Sequence, residues 1–137
     1  MGAMSRRKGA AFEREIANLI RDHLGYECKR NLEQYQQGGD DLSGVPGWSI
    51  ECKRYATCVP SDIKLFWLQC EAQAAVKGLR PVLFVKQDRK PIQVYINWLG
   101  PGSDCYQQDD INSVAQISFE LWCGIAREIG EEENART

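Results

Sequence analysis

"DLSGVPGWSIECKR", residues 41–54, combines an aspartate, a Gly/Pro turn and a run with the alternation of a β-strand. The turn at residues 44–47 predicts a hairpin whose second strand is residues 48–55. Successive side chains of a strand point to opposite faces, so Glu51 and Lys53 share one face and the apolar residues beside them take the other. The pattern raises the question of why a strand that otherwise looks buried carries a carboxylate and an ammonium on the same face.

Apolar residues at three- and four-residue spacing predict a helix on each side of this hairpin. The first runs from Lys8 to Leu24 and ends at Gly25, and the second begins at Ser61, as N-cap, and ends at Gly78. A last helix is predicted from Ser118 to about Ile129. Its inward face is expected to carry Leu121, Ile125 and Ile129.

The remaining strands are predicted from alternating or continuous apolar runs between turn residues. They are Tyr26 to Leu32, Asp40 to Leu42, Pro81 to Val85 and Ile92 to Ile96, the last two joined as a hairpin, and residues 100–113 are predicted to be a loop. The order helix, three strands, helix, two strands, helix predicts an α/β fold, with a central mixed five-stranded sheet flanked by helices.

Composition predicts one globular domain over residues 1–137, since 43% of the residues are hydrophobic and 26% are charged. No run is long enough to span a membrane or to serve as a signal peptide, so we expect a cytoplasmic protein without a membrane partner. Residues 1–7 are expected to be a flexible basic arm, of which "MGAM" (1–4) has the look of a cloning remnant, and residues 131–137 a flexible acidic tail.

The cysteines and the single histidine argue against a zinc site. Six cysteines occur singly, without a Cys-x-x-Cys pair, and His23 is the one histidine. Reduced cysteines acting as small apolar residues are the favoured interpretation.

Charge is unevenly distributed along the chain. The net charge of −2 argues weakly against binding nucleic acid through bulk electrostatics. However, basic clusters at residues 6–8, 29–30 and 53–54 lie in the first half and an acidic run at 131–133 near the end, so the first half alone could hold a polyanion. Each cluster taken singly is more simply a solvated surface.

Asp41 and Glu51, delivered by adjacent strands, are the kind of ligand pair that Mg²⁺ uses, because it takes one or two carboxylates and keeps water and phosphate oxygens at its other positions. Lys53 beside them could stabilise the negative charge that develops during phosphodiester hydrolysis. Glu-x-Lys alone is equally the polar face of an exposed hairpin, worth a few tenths of a kcal/mol, and the triplet by itself favours that interpretation.

Several stretches together resemble a known family. They are "KGAAFERE" (8–15), an arginine near the end of the first strand, Asp-Leu at 41–42, "IECK" (50–53), "GLRPVLFV" (78–85) and "ISFELWCGIAREI" (117–129). In this order they resemble the archaeal-type Holliday-junction resolvases and their phage relatives in the PD-(D/E)XK nuclease superfamily. The resemblance covers Arg7 to Ile129 and implies a restriction-endonuclease-like core.

The resemblance implies a role for each matching residue. Asp41 and Glu51 would bind the metal, with the backbone carbonyl of Cys52 as a further ligand, and Lys53 would be the catalytic lysine. Glu13 would lie near the metal, and "WLQCEAQA" (67–74) offers Gln69 or, less securely, Gln73, although a solvent-facing position is about equally expected for both. The residues expected to contact DNA are Arg6, Arg7, Lys8, Arg14, Arg30 and Arg54.

Three departures from the family pattern bear on this assignment. Asp40 and Asp41 are adjacent and only one can share the face of Glu51; the following Leu42 favours Asp41. The spacing from the aspartate to Glu-x-Lys is short, which fits a tight turn, and the chain is acidic where many resolvases are basic.

The expected function is a Mg²⁺-dependent, structure-selective endodeoxyribonuclease that resolves four-way DNA junctions by paired cuts, with Mn²⁺ able to substitute. A homodimer would place one site on each cut strand, and Phe66 and Trp67 on the second helix are candidates for its contact surface. The alternatives are a restriction-like or fork/flap endonuclease of the same fold and a catalytically inactive DNA-binding module.

Overall fold

The computed structural model describes residues 3–31, 40–97 and 114–136. These residues form helices α1 (Ala3–Leu24), α2 (Pro60–Lys77) and α3 (Phe119–Arg136). The strands are β1 (Lys29–Arg30), β2 (Leu42–Ser43), β3 (Trp48–Tyr55), β4 (Arg80–Gln87), β5 (Gln93–Asn97) and β6 (Val114–Ile117). None of the helices in these ranges is both long and apolar enough to cross a bilayer.

One sheet contains the six strands of the described ranges in the order of the chain. Strands β3 and β4 are parallel, with Glu51 opposite Leu83, and α2 makes the crossover between them. The other neighbouring pairs are antiparallel. The predicted mixed α/β fold is therefore confirmed, but the sheet has six strands in the described ranges rather than the predicted five, because β6 (VAQI) lacks the apolar–polar alternation that would identify a strand.

Helices cover both faces of the sheet and create two apolar layers. Helices α1 and α3 pack on one face around Ile16, Phe84 and Trp122. Helix α2 packs on the other through Trp67 and Cys70, which contact the inward residues of β4 on that side. This second layer is the one that Glu51 and Lys53 face, because β3 alternates in register with β4.

The hairpin at residues 41–54 forms as predicted, with β2 antiparallel to β3. Its turn requires glycine at position 44, where φ is +128° and an added Cβ would lie 2.5 Å from the carbonyl oxygen of Glu27. This close approach packs the turn of the hairpin against the residues just before β1. The first predicted strand is shorter than expected, with Lys29–Arg30 as β1, and its end at Leu32 lies outside the described residues.

Four helix predictions require correction, the first being that α1 begins at Ala3 rather than at Lys8. Helix α2 begins at Pro60 rather than after a Ser61 cap, and the backbone N–H of Val59 donates to Asp62 Oδ2 at 2.9 Å. Leu121 is 54% exposed, because α3 instead turns the adjacent Trp122 inward, and α3 continues past Ile129 to Arg136. Ser118 does cap α3, since its Oγ accepts from Leu121 N–H at 3.1 Å.

Trp67 cannot serve as an exposed dimer contact, because it is only 2% exposed in the layer beneath α2. Phe66 is half-buried beside it. The apolar side chains of α2 that do face solvent are Leu65, Leu68 and Val76.

Candidate active site

Strand β3 places the carboxylate of Glu51 and the ammonium of Lys53 on its α2 side. Lys53 Nζ lies 3.4 Å from Glu51 Oε1, and Glu51 is only 5% exposed. The same ammonium lies 5.3 Å from the centroid of the Phe66 ring, so α2 shields one side of the pair. Burial of this kind contradicts the simpler interpretation of Glu-x-Lys as the polar face of an exposed hairpin.

Asp41 immediately precedes β2 and lies against β3. Its backbone N–H donates to the carbonyl of Ile50 at 2.9 Å, and its Oδ2 accepts the N–H of Cys52 at 2.7 Å. The carboxylate thus occupies the edge of β3 just beyond the last β2 pairing, Leu42 with Ile50. Because the N–H and C=O of one strand residue point to the same edge, the carbonyl of Cys52 also lies on this side.

Asp40 points elsewhere and is already compensated. Its Oδ1 accepts from Lys77 Nζ at 2.6 Å and its Oδ2 from Ser49 Oγ at 3.2 Å. Of the two adjacent aspartates, the structure therefore brings Asp41 next to Glu51 and holds Asp40 in an ion pair with α2.

If both were ionised, the Asp41 and Glu51 carboxyl groups would carry more negative charge than the surrounding side chains neutralise. Burial first, and then the charge of Asp41, raise the pKa of Glu51 to about 8 against the lowering effect of Lys53. Glu51 Oε2 is buried and has no hydrogen-bond partner among the described residues. An orphaned buried carboxylate oxygen beside a second carboxylate is what a hard divalent cation would satisfy.

Glu13 approaches the same place from α1. It is 6% exposed and accepts a hydrogen bond from Arg30 Nε at 2.7 Å. Burial raises its pKa, Arg30 opposes that shift, and the negative charge of Asp41 adds to it. Three carboxylates therefore converge, with Asp41 in the middle.

These carboxylates do not complete a metal site by themselves. Within residues 3–31, 40–97 and 114–136, no three His, Cys, Asp or Glu side chains are arranged to hold one ion. Asp41, Glu51 and the Cys52 carbonyl instead fit a cation such as Mg²⁺ that keeps several positions for water and substrate oxygens.

The two candidate glutamines differ in their surroundings. Gln69 is exposed on α2. Gln73 is half-buried, and its Oε1 is buried without a hydrogen-bond partner in the described part of the chain. It follows Phe66 by seven residues and precedes Lys77 by four, so it shares their face of α2 and is the better candidate of the two glutamines for a place near Lys53.

The residues expected to contact DNA are placed unequally. Lys8 and Arg14 are exposed on α1. Arg30 is paired with Glu13, and Arg54 is paired with Asp88, its Nη2 lying 2.6 Å from Oδ1. The side chains of Arg6 and Arg7 lie outside the described residues.

Sequence analysis missed two contacts of the site. The ring of Phe66 over Lys53 and the ion pair of Lys77 with Asp40 both come from α2, which crosses the sheet between β3 and β4. No local pattern signals either contact. The helical spacing of Phe66, Gln73 and Lys77 was the one available hint that they share a face.

Comparison with known proteins identifies a family and a similar solved structure. The sequence model of a family described as "Phage putative PDDEXK endonuclease" matches residues 4–120. Among solved structures, Hjc, a Holliday junction resolvase from the archaeal hyperthermophile Archaeoglobus fulgidus, is similar at 15% identity and a TM-score of 0.47, with 84% of this chain and 87% of that chain covered. A search of curated proteins found no match. The family match spans α1, the hairpin and the Glu-x-Lys strand, and this chain therefore belongs to that family of phage PDDEXK endonucleases.

Proposed function

We propose that this endonuclease is a divalent-metal-dependent, structure-selective enzyme that cuts four-way DNA junctions on two strands by phosphodiester hydrolysis. The observation that carries the metal dependence is the buried Glu51 oxygen that lacks a partner beside Asp41. Mg²⁺ is the proposed cofactor, with Mn²⁺ as a substitute, because both prefer carboxylate, carbonyl and water oxygens.

Asp41, Glu51 and the carbonyl of Cys52 would hold the cation. When bound, it would supply a Lewis acid to the scissile phosphate and increase the acidity of water at the site. Lys53 would donate to the phosphate oxygens as negative charge builds on them, and Phe66 would limit the access of water to that ammonium. Glu13, tied to Arg30, would hold α1 and β1 against the site.

The preference for four-way junctions is proposed from the resemblance of the motifs to a resolvase family. The symmetry of such a junction leads us to propose a homodimer as well. Two equivalent strands of a four-way junction suit a two-fold dimer with one site on each strand. Leu65, Leu68 and Val76 form an exposed apolar stripe along α2 and are the proposed contact with a second copy. Sedimentation of the wild type and Leu68→Glu tests this: a dimer that the substitution splits supports the surface, and a monomeric wild type refutes it.

The deciding experiment compares cleavage of a labelled four-way junction with that of a matched linear duplex, in Mg²⁺ or in EDTA. The matched variants are Asp41→Asn, at the site, and Asp40→Asn, at the neighbouring position that faces Lys77. Paired symmetric cuts on the junction alone, lost in EDTA and in Asp41→Asn but retained in folded Asp40→Asn, would support the proposal.

Each of the other outcomes would indicate a different function. Equal cutting of the duplex would indicate a restriction-like or fork/flap endonuclease. Binding of DNA without cleavage in either metal would indicate a binding module whose active-site residues no longer act. Cleavage that persists in EDTA would refute the metal dependence.

A further inference from the structure

The turn between β4 and β5, residues 87–90, presents basic side chains that no part of the proposed site uses. The N–H of Lys90 donates to the carbonyl of Gln87 at 3.3 Å, which closes the turn. Arg89 occupies its tip with φ at +62°, a left-handed conformation that favours glycine. An arginine held there costs backbone strain and is exposed.

The turn is braced from β3. Arg54 Nη2 donates to Asp88 Oδ1 at 2.6 Å, and its Nη1 donates to the carbonyl of Tyr55 at 2.7 Å. The backbone N–H of Asp88 donates to the carbonyl of Ala56 at 3.1 Å. Lys86 Nζ adds hydrogen bonds to the carbonyls of Gln87 and Lys90. These contacts position the turn and direct Arg54 into it rather than toward solvent.

A further lysine joins this cluster from α1. The pKa of Asp88 is lowered, mainly by its hydrogen bond to Arg54, and the nearby positive charges of Lys8 and Arg89 contribute. The basic turn cluster comprises Lys8, Arg54, Lys86, Arg89 and Lys90, and Asp88 is the one carboxylate within the turn itself. The side chains of Lys8, Arg89 and Lys90 make no hydrogen bond or ion pair within the described ranges, and all three are exposed.

The basic turn cluster lies at the C-terminal end of β3 and β4, the strands that run past Glu51 and Lys53 toward it. Ala56, whose carbonyl accepts the hydrogen bond of Asp88, is the first residue after β3 and follows Glu51 by five residues. At ~3.3 Å per residue this is roughly 16 Å. A duplex rises about 3.4 Å per base pair, so one duplex arm could reach both places at once.

We propose that the β4–β5 turn is a phosphate-binding element for a duplex arm beside the cut, with Arg89 as the main contact, Lys8 and Lys90 beside it, and Arg54 as the residue that positions the turn. The inference rests on the proposed action on DNA. The left-handed conformation of Arg89, held by its neighbours, presents the guanidinium outward, where a phosphate can accept two hydrogen bonds from it.

The test measures binding of junction and duplex DNA in EDTA as a function of salt concentration, with Arg89→Ala and Arg80→Ala as matched variants. The two exposed arginines lie at opposite ends of β4, Arg80 at its start and Arg89 just past its end. We expect Arg89→Ala to weaken binding about tenfold and to reduce the salt slope by about 0.9, and Arg80→Ala to change neither by much. Equal losses from both variants, or none from Arg89→Ala, would overturn the proposal.

Two further variants separate binding from folding. Arg89→Gly relieves the left-handed strain, so it should lose affinity as Arg89→Ala does without lowering the melting temperature. Arg54→Ala should weaken binding in the wild type but add little in the Arg89→Ala background, because it acts through the turn. Full additivity of the two losses would refute the positioning role.

Wild-type cleavage, assayed with Mg²⁺ on the same DNA, distinguishes this inference from the proposed function. Binding that depends on Arg89 without any cleavage would remove the nuclease mechanism and leave the phosphate-binding turn. Cleavage by the wild type together with DNA binding that Arg89→Ala does not weaken would support the nuclease mechanism and refute the phosphate-binding turn.

Discussion

Replacing Glu51 with glutamine should stabilise the metal-free protein at alkaline pH, although it removes a residue of the proposed metal site. The carboxyl is 5% exposed, and burial together with the charge of Asp41 raises its pKa from 4.5 to about 8. Between these two pH values the folded protein keeps a proton that the unfolded chain has lost. The free energy of unfolding therefore falls as the pH rises through this interval, and glutamine, which does not titrate, removes the loss.

The size of the effect follows from that interval. At ~1.36 kcal/mol per pH unit, a pKa raised from 4.5 to about 8 corresponds to roughly 4–5 kcal/mol. Relaxation and water penetration around a buried charge reduce this ceiling. We expect Glu51→Gln to gain about 2–4 kcal/mol over the wild type between pH 4.5 and pH 9, with most of the gain complete near pH 8.

Urea denaturation in EDTA, from pH 4.5 to pH 9, measures the difference directly. Adding Mg²⁺ at pH 8 should then stabilise the wild type, by about 2.7 kcal/mol at a hundred times its dissociation constant, and leave Glu51→Gln almost unchanged. If the difference in the free energy of unfolding between the wild type and Glu51→Gln does not vary with pH, the raised pKa of a buried Glu51 is refuted. Equal stabilisation of both by Mg²⁺ would show that the cation does not bind through Glu51.

Asp40→Asn is the control for this experiment. Asp40 is 1% exposed, but it is paired with Lys77 at 2.6 Å, so its charge is compensated. Removing that charge should destabilise the protein by about 1–3 kcal/mol, opposite in sign to the effect at Glu51. Stabilisation by both substitutions would mean that any buried charge removed from this region helps, whatever its partners.

Three further predictions follow from the site and the hairpin. Lys53→Ala should lower the rate of junction cleavage by about 10²–10³ while DNA binding in EDTA changes only a few-fold; a parallel loss of binding would assign the lysine to affinity instead. Gln73→Ala should reduce cleavage and Gln69→Ala should not, because Gln73 has a buried amide oxygen on the face of α2 that carries Phe66, whereas Gln69 is exposed; the reverse order in single-turnover assays would contradict this assignment. Gly44→Ala should lower the free energy of unfolding by about 2–4 kcal/mol, because the new Cβ would meet the Glu27 carbonyl at 2.5 Å, whereas Gly78→Ala, with open space around it, should cost only about 1 kcal/mol. Equal costs in urea denaturation would show that backbone conformation alone, and not the close approach, requires Gly44.

The β2–β3 hairpin, helix α1 and the alternation of β3 were predictable because each depends on residues close in sequence. A Gly/Pro turn sets the hairpin, and a period of two residues places Glu51 and Lys53 on one face whatever packs above them. The family resemblance adds the proposal of a metal site, because the resemblance depends on the order of the motifs and not on their contacts.

Other features required knowledge of which elements meet. The sequence pattern predicts α2 as a helix, but burial against the sheet decides that Trp67 faces inward and that Gln73 is half-buried while Gln69 is exposed. In α3, the choice between Leu121 and Trp122 as the inward residue depends on the aromatic neighbours, since Trp122 packs edge-on against Trp48 and Phe84. The four residues of β6 show no apolar–polar alternation, and they form a strand because they pair with β5.

The sequence by itself therefore determined the chemistry available to this protein: an aspartate, a glutamate and a lysine delivered by one hairpin. Only the tertiary structure decided their environment, namely that Asp40 is neutralised by Lys77 and that Glu51 is left with an unpaired oxygen. The physical reason is that the facing of side chains within an element follows from local geometry, while desolvation and charge compensation depend on residues distant in the sequence.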